Sequence, residues 1–156
     1  MTAPRLNPAV AAPALMKLWF DAAIAISKSL DPKLVELVKT RASQVNGCAV
    51  CTNMHSTFAR DHGETEQRVY LLPVWREAPC YSDRERAALG WTEALTRLSE
   101  GPGLESAYEA LKSEFNEEEQ VALTLTINVI NGWNRVAVGF GGWTEPASVK
   151  SKAVVA

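Results

Sequence analysis

The sequence has few of the residues from which small proteins build their chemistry. Its 156 residues include three cysteines and two histidines, and only 8% are aromatic. An odd and sparse cysteine count excludes a disulfide-framed secreted scaffold. An excess of one charge is also missing: 16 Lys+Arg stand against 18 Asp+Glu, a net charge of −2. Such a chain carries no broad positive field, so no nucleic-acid partner is expected. No run of about 18 uncharged apolar residues occurs, so no membrane-spanning helix is expected. A glycine-rich phosphate loop and a dinucleotide fingerprint are both absent, so no cofactor is expected. Arg5 ahead of the apolar stretch 9–16 faintly resembles a signal peptide. Pro8 and Pro13 punctuate that stretch and Lys17 and Asp21 end its apolar character, so it reads as an amphipathic first helix.

What remains is an ordinary globular composition, 47% hydrophobic and 22% charged. A chain of this length buries about 70% of its unfolded surface and is expected to form a single domain over residues 1–156. Its punctuation is helical, and the expected fold class is all-α. An N-terminal helix over 8–28 should pack on a core spanning about 31–140. Asp31-Pro32 is a cap followed by proline at the first helical position, and Asn46-Gly47 stops the helix it opens. A second helix is expected over 48–62 and a short one over 66–72, broken by Pro73. Ser82 and Glu85, like Asn116 and Glu119, have capping-box spacing. The first box opens a helix that ends before Gly101, and a weaker helix should cover 104–113. The second box opens a long helix to about Gly139. Residues 121–138 are largely apolar and rich in β-branched side chains, but length and cap favour a buried central helix over a strand. Its apolar surplus predicts either the centre of the fold or a subunit interface. The tail, 144–156, has no pattern.

The chemistry concentrates in Asn46-Gly47-Cys48-Ala49-Val50-Cys51-Thr52-Asn53-Met54-His55. Cys48, Cys51 and His55 fall at i, i+3 and i+7, one face of a helix. The first turn of that helix favours a thiolate through its free N–H groups and dipole. Two cysteines three apart can close a small disulfide, with His55 near enough to exchange a proton with Cys51. The residues alone leave three readings open: dithiol redox chemistry, a zinc site with Cys80 or His62 as fourth ligand, or buried cysteines beside a satisfied histidine. Glu36, twelve residues before Cys48, could return beside this face if the two helices are antiparallel; by pattern alone it reads as a solvated helix glutamate.

The spacing Glu36-x11-Cys48-x2-Cys51-x3-His55 resembles the core of the alkylhydroperoxidase D (AhpD) family, within the carboxymuconolactone decarboxylase-like superfamily. The segments 81–89 and 91–95 resemble the helix that follows the motif in that family. Asn131, Trp133, Asn134 and Arg135 resemble a late segment of it. The resemblance spans about 34–135. It implies an AhpD-like helical bundle assembled as a homo-oligomer, a trimer or hexamer or else a dimer. It also implies reduction of organic hydroperoxides or hydrogen peroxide, or of a partner peroxiredoxin's disulfide. In the family mechanism Cys51 attacks the peroxide and Cys48 resolves the product as a disulfide. Glu36 and His55 relay the proton, and a lipoamide- or thioredoxin-like dithiol donor supplies electrons. The dipole argument instead marks Cys48 as the more acidic thiol; His55 next to Cys51 decides for Cys51. The best-known members carry a second histidine where this chain has Val50, which implies a simpler relay. Decarboxylases of the superfamily lack the cysteine pair, so decarboxylation is not expected.

Away from the motif, Cys80 reads as structural and His62 as a helix-end cap. Trp75, Trp91, Trp133 and Trp143 read as core or interface residues. A reactive dithiol without a targeting signal points to the cytoplasm.

Overall fold

Helix signals dominate the sequence, and the computed structural model, which describes residues 4–101 and 103–141, is built from helices. Among the described residues there are eight α-helices and no strand: α1 (Pro8–Ala11), α2 (Pro13–Ser27), α3 (Pro32–Val45), α4 (Ala49–Asp61), α5 (Glu66–Leu71), α6 (Asp83–Thr96), α7 (Leu104–Glu114) and α8 (Glu117–Phe140). Short 3-10 turns cover Leu72–Val74 and Leu98–Glu100. Trp143 and the tail 144–156 lie outside the described residues.

The caps work as their chemistry dictates. The Asp31 side chain accepts the Leu34 N–H, with Pro32 in the first turn. Both capping boxes close reciprocally, Ser82 with Glu85 and Asn116 with Glu119. Gly141, at φ +72°, ends α8 in the left-handed conformation, while Gly139 lies within the helix. The expected 8–28 helix is broken: Ala12 leaves the helical region before Pro13, so α1 and α2 are separate.

The centre belongs to α3, not to the long α8. α3 packs on α4, α6 and α8 and is buried around most of its circumference. Leu34 and Val38 join Ala88, Trp91, Leu111, Phe115, Leu123 and Ile127 in one apolar cluster. Leu37 joins Leu72, Trp75, Tyr81 and Leu89 in a second. Ala42 reaches a third, with Cys48, Cys51 and Ile130. α8 buries one stripe, Leu123, Ile127 and Ile130 among it, and leaves Val121, Leu125, Val138 and Phe140 exposed. It is apolar beyond what its packing stripe uses. α2 lies on α8 through Trp19, whose ring stands 6.2 Å from that of Trp133 and close over Gly132. A Cβ at 132 would meet the Trp19 ring at 2.5 Å, so glycine is what admits this approach. Among the described residues no helix is long and apolar enough to cross a membrane.

Candidate active site

The site begins with a turn. Asn46 caps α3 and Gly47 adopts φ +65°. The Gly47 N–H then bonds to Gln44 O at 3.2 Å and the Cys48 N–H to Ser43 O at 2.9 Å. This paired closure satisfies the last carbonyls of α3 and reverses the chain within two residues. Cys48 leaves that turn as the N-cap of α4, its sulfur accepting the Cys51 N–H at 3.4 Å. The expected helix over 48–62 is therefore α4 with Cys48 and His62 as its two caps.

A second lock holds the turn from α8. The Asn46 side-chain amide donates to Asn131 Oδ1 at 2.9 Å and Asn134 Oδ1 at 2.8 Å. Asn134 donates onward to Ser43 Oγ at 3.0 Å, and Asn131 to Thr96 Oγ1 at 3.0 Å. A buried network of this kind is stabilising because its members are satisfied, and it sets the end of α3 against α8. The late Asn131/Asn134 segment, noted in the sequence only by resemblance, thus has a physical task.

Cys48 and Cys51 are disulfide-bonded, with Cα atoms 5.4 Å apart. They are 1% and 4% exposed, packed against Ile130 with Val50, Trp133 and Ala137 around them. Val50, at the position of the family's second histidine, contributes only apolar contact. α3 and α4 are antiparallel, so Glu36 does come back alongside: His55 Nδ1 lies 2.7 Å from Glu36 Oε2, and both residues are buried. The solvated-glutamate reading of Glu36 is replaced by a buried Glu–His pair. Burial disfavours the Glu36 carboxylate, but the hydrogen bond and charge of His55, then Lys39, outweigh it and hold its pKa below the usual range.

Lys39 was not singled out in the sequence. Its Nζ sits 3.4 Å from Glu36 Oε1 and donates to Ser27 Oγ of α2 at 2.8 Å. The i, i+3 spacing from Glu36 was the available signal. The other candidates stay apart. The His62 imidazole donates through Nδ1 to Phe58 O at 2.8 Å at the exposed end of α4, about 20 Å along the helix from Cys48. Cys80 is a free, half-buried thiol packed on the Leu72/Trp75 cluster. Among the described residues no group of three or more His, Cys, Asp or Glu could hold a metal ion. A cleft of about 750 Å³ opens between α6 and α7, lined by Arg76, Glu93, Arg97 and Glu114 among others, and none of the motif residues lines it.

Comparison with known proteins places this geometry. The carboxymuconolactone decarboxylase family model matches residues 11–94, which include Glu36, both cysteines and His55. An uncharacterised protein of Bacillus subtilis, YdfG, is 40% identical over 131 residues, covering 83% of this chain and 89% of its own. The fold is similar to the crystal structure of a protein of unknown function from Agrobacterium tumefaciens, ATU0492, proposed there as an antioxidant defence protein AhpD. That similarity has a TM-score of 0.88 at 40% identity and covers 92% of this chain and 99% of the other. The debrominase Bmp8 shares the fold at a TM-score of 0.76 and 19% identity, over 86% of this chain and 73% of its own. By family match, identity and fold together, the chain is an AhpD-like member of the carboxymuconolactone decarboxylase family.

Proposed function

We propose that the protein is a dithiol peroxidase that reduces organic hydroperoxides or hydrogen peroxide. The observation that carries the reading is the buried Glu36–His55 hydrogen bond on the α3–α4 face that also holds the Cys48–Cys51 pair. The Cys51 thiolate attacks the terminal peroxide oxygen. The O–O bond breaks, the alkoxide takes a proton and leaves as alcohol, and Cys51 becomes a sulfenic acid. Cys48 then attacks that sulfur, the disulfide forms and water leaves. A lipoamide- or thioredoxin-like dithiol returns two electrons and is itself oxidised to a disulfide. With the Nδ1 proton donated to the Glu36 carboxylate, Nε2 of His55 is the free acceptor, able to take the Cys51 proton and pass it to the leaving alkoxide.

The alternative, an adaptor that reduces a peroxiredoxin, predicts the same disulfide with negligible direct peroxide consumption. Exposed Leu15, Leu18 and Phe20 of α2 and Val138 of α8 support a homo-oligomer.

The test is intact mass and free-thiol count on reduced protein, before and after one equivalent of an organic hydroperoxide. Wild type should lose two thiols and two hydrogens; Cys51→Ser should not. Thiols that survive peroxide would sink the peroxidase reading and leave the adaptor, which a peroxiredoxin-disulfide assay then tests.

A further inference from the structure

One buried group near the cysteines is left without a partner. Among the described residues, only two buried side-chain nitrogen or oxygen atoms lack a hydrogen bond: Trp19 Nε1 and Thr40 Oγ1. Thr40 is 1% exposed and lies in the middle of α3. A buried hydroxyl without a partner is costly, and a helical threonine has an easy remedy in the carbonyl four residues back. The two other fully buried threonines use it: Thr92 donates to Ala88 O at 2.7 Å and Thr126 to Ala122 O at 2.9 Å. Thr40 does not.

Its place in the register gives the omission meaning. Glu36, Thr40 and Ser43 share one face of α3, and Cys51 and His55 share one face of α4, with Cys48 at its N-cap. The two helices are tied at both ends: the Glu36 and His55 side chains bond at 2.7 Å, and the backbone Ser43 O accepts the Cys48 N–H at 2.9 Å, while the Ser43 hydroxyl turns to Asn134 of α8. Between these two contacts, one turn from each, antiparallel pairing sets Thr40 across from Cys51. By this register Thr40 lies level with Cys51 along the α3–α4 pair.

We propose that Thr40 Oγ1 is a hydrogen-bond donor to the Cys51 thiolate of the reduced protein. In the disulfide form described here Cys51 is neutral and its sulfur is a weak acceptor, so the hydroxyl has no partner. Reduction by a dithiol donor, which is itself oxidised, returns Cys51 as a thiolate and supplies the charge that the hydroxyl answers. Thr40 so stabilises the reduced state over the oxidised one and the thiolate over the thiol. The charged groups around the pair are Glu36 and Lys39 on α3 and His55 on α4. α8 presents Ile130, Trp133 and Ala137 to the cysteines, and its Arg135 is held on Asn131.

The inference rests on the redox reading of the site, but its test uses no peroxide, so a failure of peroxide turnover and a failure of this proposal are told apart. The first measurement is thiolate absorbance against pH in full-length protein carrying Cys48→Ser and Cys80→Ser, which leaves Cys51 as the one thiol. The second is the Cys48/Cys51 dithiol–disulfide equilibrium of the otherwise unaltered chain in glutathione buffers. Thr40→Val, which keeps the shape and removes the hydroxyl, should weaken thiolate formation about tenfold, raising the Cys51 midpoint by about one pH unit. It should also favour the disulfide about tenfold, a potential about 30 mV more negative. Thr40→Ser should restore both. Should the valine variant not fold, Thr40→Ala against Thr40→Ser makes the same comparison. Coincidence of Thr40→Val with wild type in both measurements, or of the serine variant with the variant lacking the hydroxyl, would overturn the proposal.

Discussion

Two buried glutamates, Glu36 on α3 and Glu93 facing α3 from α6, show how the same side chain serves different ends. Glu93, on α6, is closed in by fixed donors: Arg41 Nε at 2.7 Å, Trp75 Nε1 at 2.8 Å and Arg76 at 2.6 Å. Burial resists its ionisation, but the indole and the two guanidiniums prevail and hold its pKa below the usual range. Glu36 is also buried and also held ionised, yet its partners are an imidazole at 2.7 Å and a lysine at 3.4 Å. Guanidinium does not titrate in the working range and imidazole does. Glu93 is therefore part of a permanent brace between α3 and α6, while Glu36 sits in a pair that can load and unload a proton. Burial and ionisation alone do not separate the two carboxylates; the identity of the donor does, and it is what supports the proton-relay role proposed for Glu36.

That contrast can be broken at several points. Glu93→Gln leaves Arg41 buried without its counter-charge, and should destabilise the protein by about 3–5 kcal/mol in urea unfolding. The rate of disulfide formation per folded molecule should stay near that of wild type; a selective loss of that rate would put Glu93 in the chemistry. Glu36→Gln also removes a buried carboxylate, and beyond its cost in stability it should slow peroxide-driven disulfide formation per folded molecule by about 10²-fold or more. Equal stability losses in the two variants, with equal rates, would erase the distinction. Lys39→Met removes one of the charges that keep Glu36 ionised. The acid limb of the rate–pH profile should move up by about one pH unit.

Smaller effects follow from pH and from α2. Both glutamates titrate lower in the folded chain than in the unfolded one. Their contribution to stability is complete above the unfolded value, about 4.3, and is lost as pH falls through the lowered folded values. Urea midpoints measured from pH 6 down to pH 3 should fall less steeply in Glu93→Gln than in wild type. Ser27→Ala removes the Lys39 anchor and should cost about 1 kcal/mol with little change in rate. A large rate loss there would mean that α2 positions the Glu36–His55 pair.

The parts of the molecule that were legible in the sequence are those fixed by neighbours along the chain. Asp31-Pro32, Ser82 with Glu85 and Asn116 with Glu119 each satisfy helix N–H groups within three or four residues, so their spacing reveals the helix starts. Cys51 and His55 share a face because helical periodicity puts them there, and Cys48 joins them from the N-cap. The break at Pro13 was missed because proline is also at home in a first turn, and only the Ala12 backbone decides between a kink and a new start. The central place expected for α8 went to α3, because apolar content records how much surface wants cover and not which neighbour provides it.

Helix type, helix ends and the cysteine–histidine face were written in local order, since hydrogen bonds and side-chain periodicity within a helix reach no further than about four residues. Tertiary structure alone decided the charge environment of the site. Glu36 meets His55 across 19 residues, Asn46 meets Asn131 across 85, and Arg41 meets Glu93 across 52. The resemblance marked Glu36 as a participant, but whether it is solvated or buried against an imidazole depends on the antiparallel return of α4. That return is made by Gly47 and held by asparagines from α8. Desolvation and pairing act through space, and the chain must be packed before a carboxylate has neighbours that can set its proton affinity.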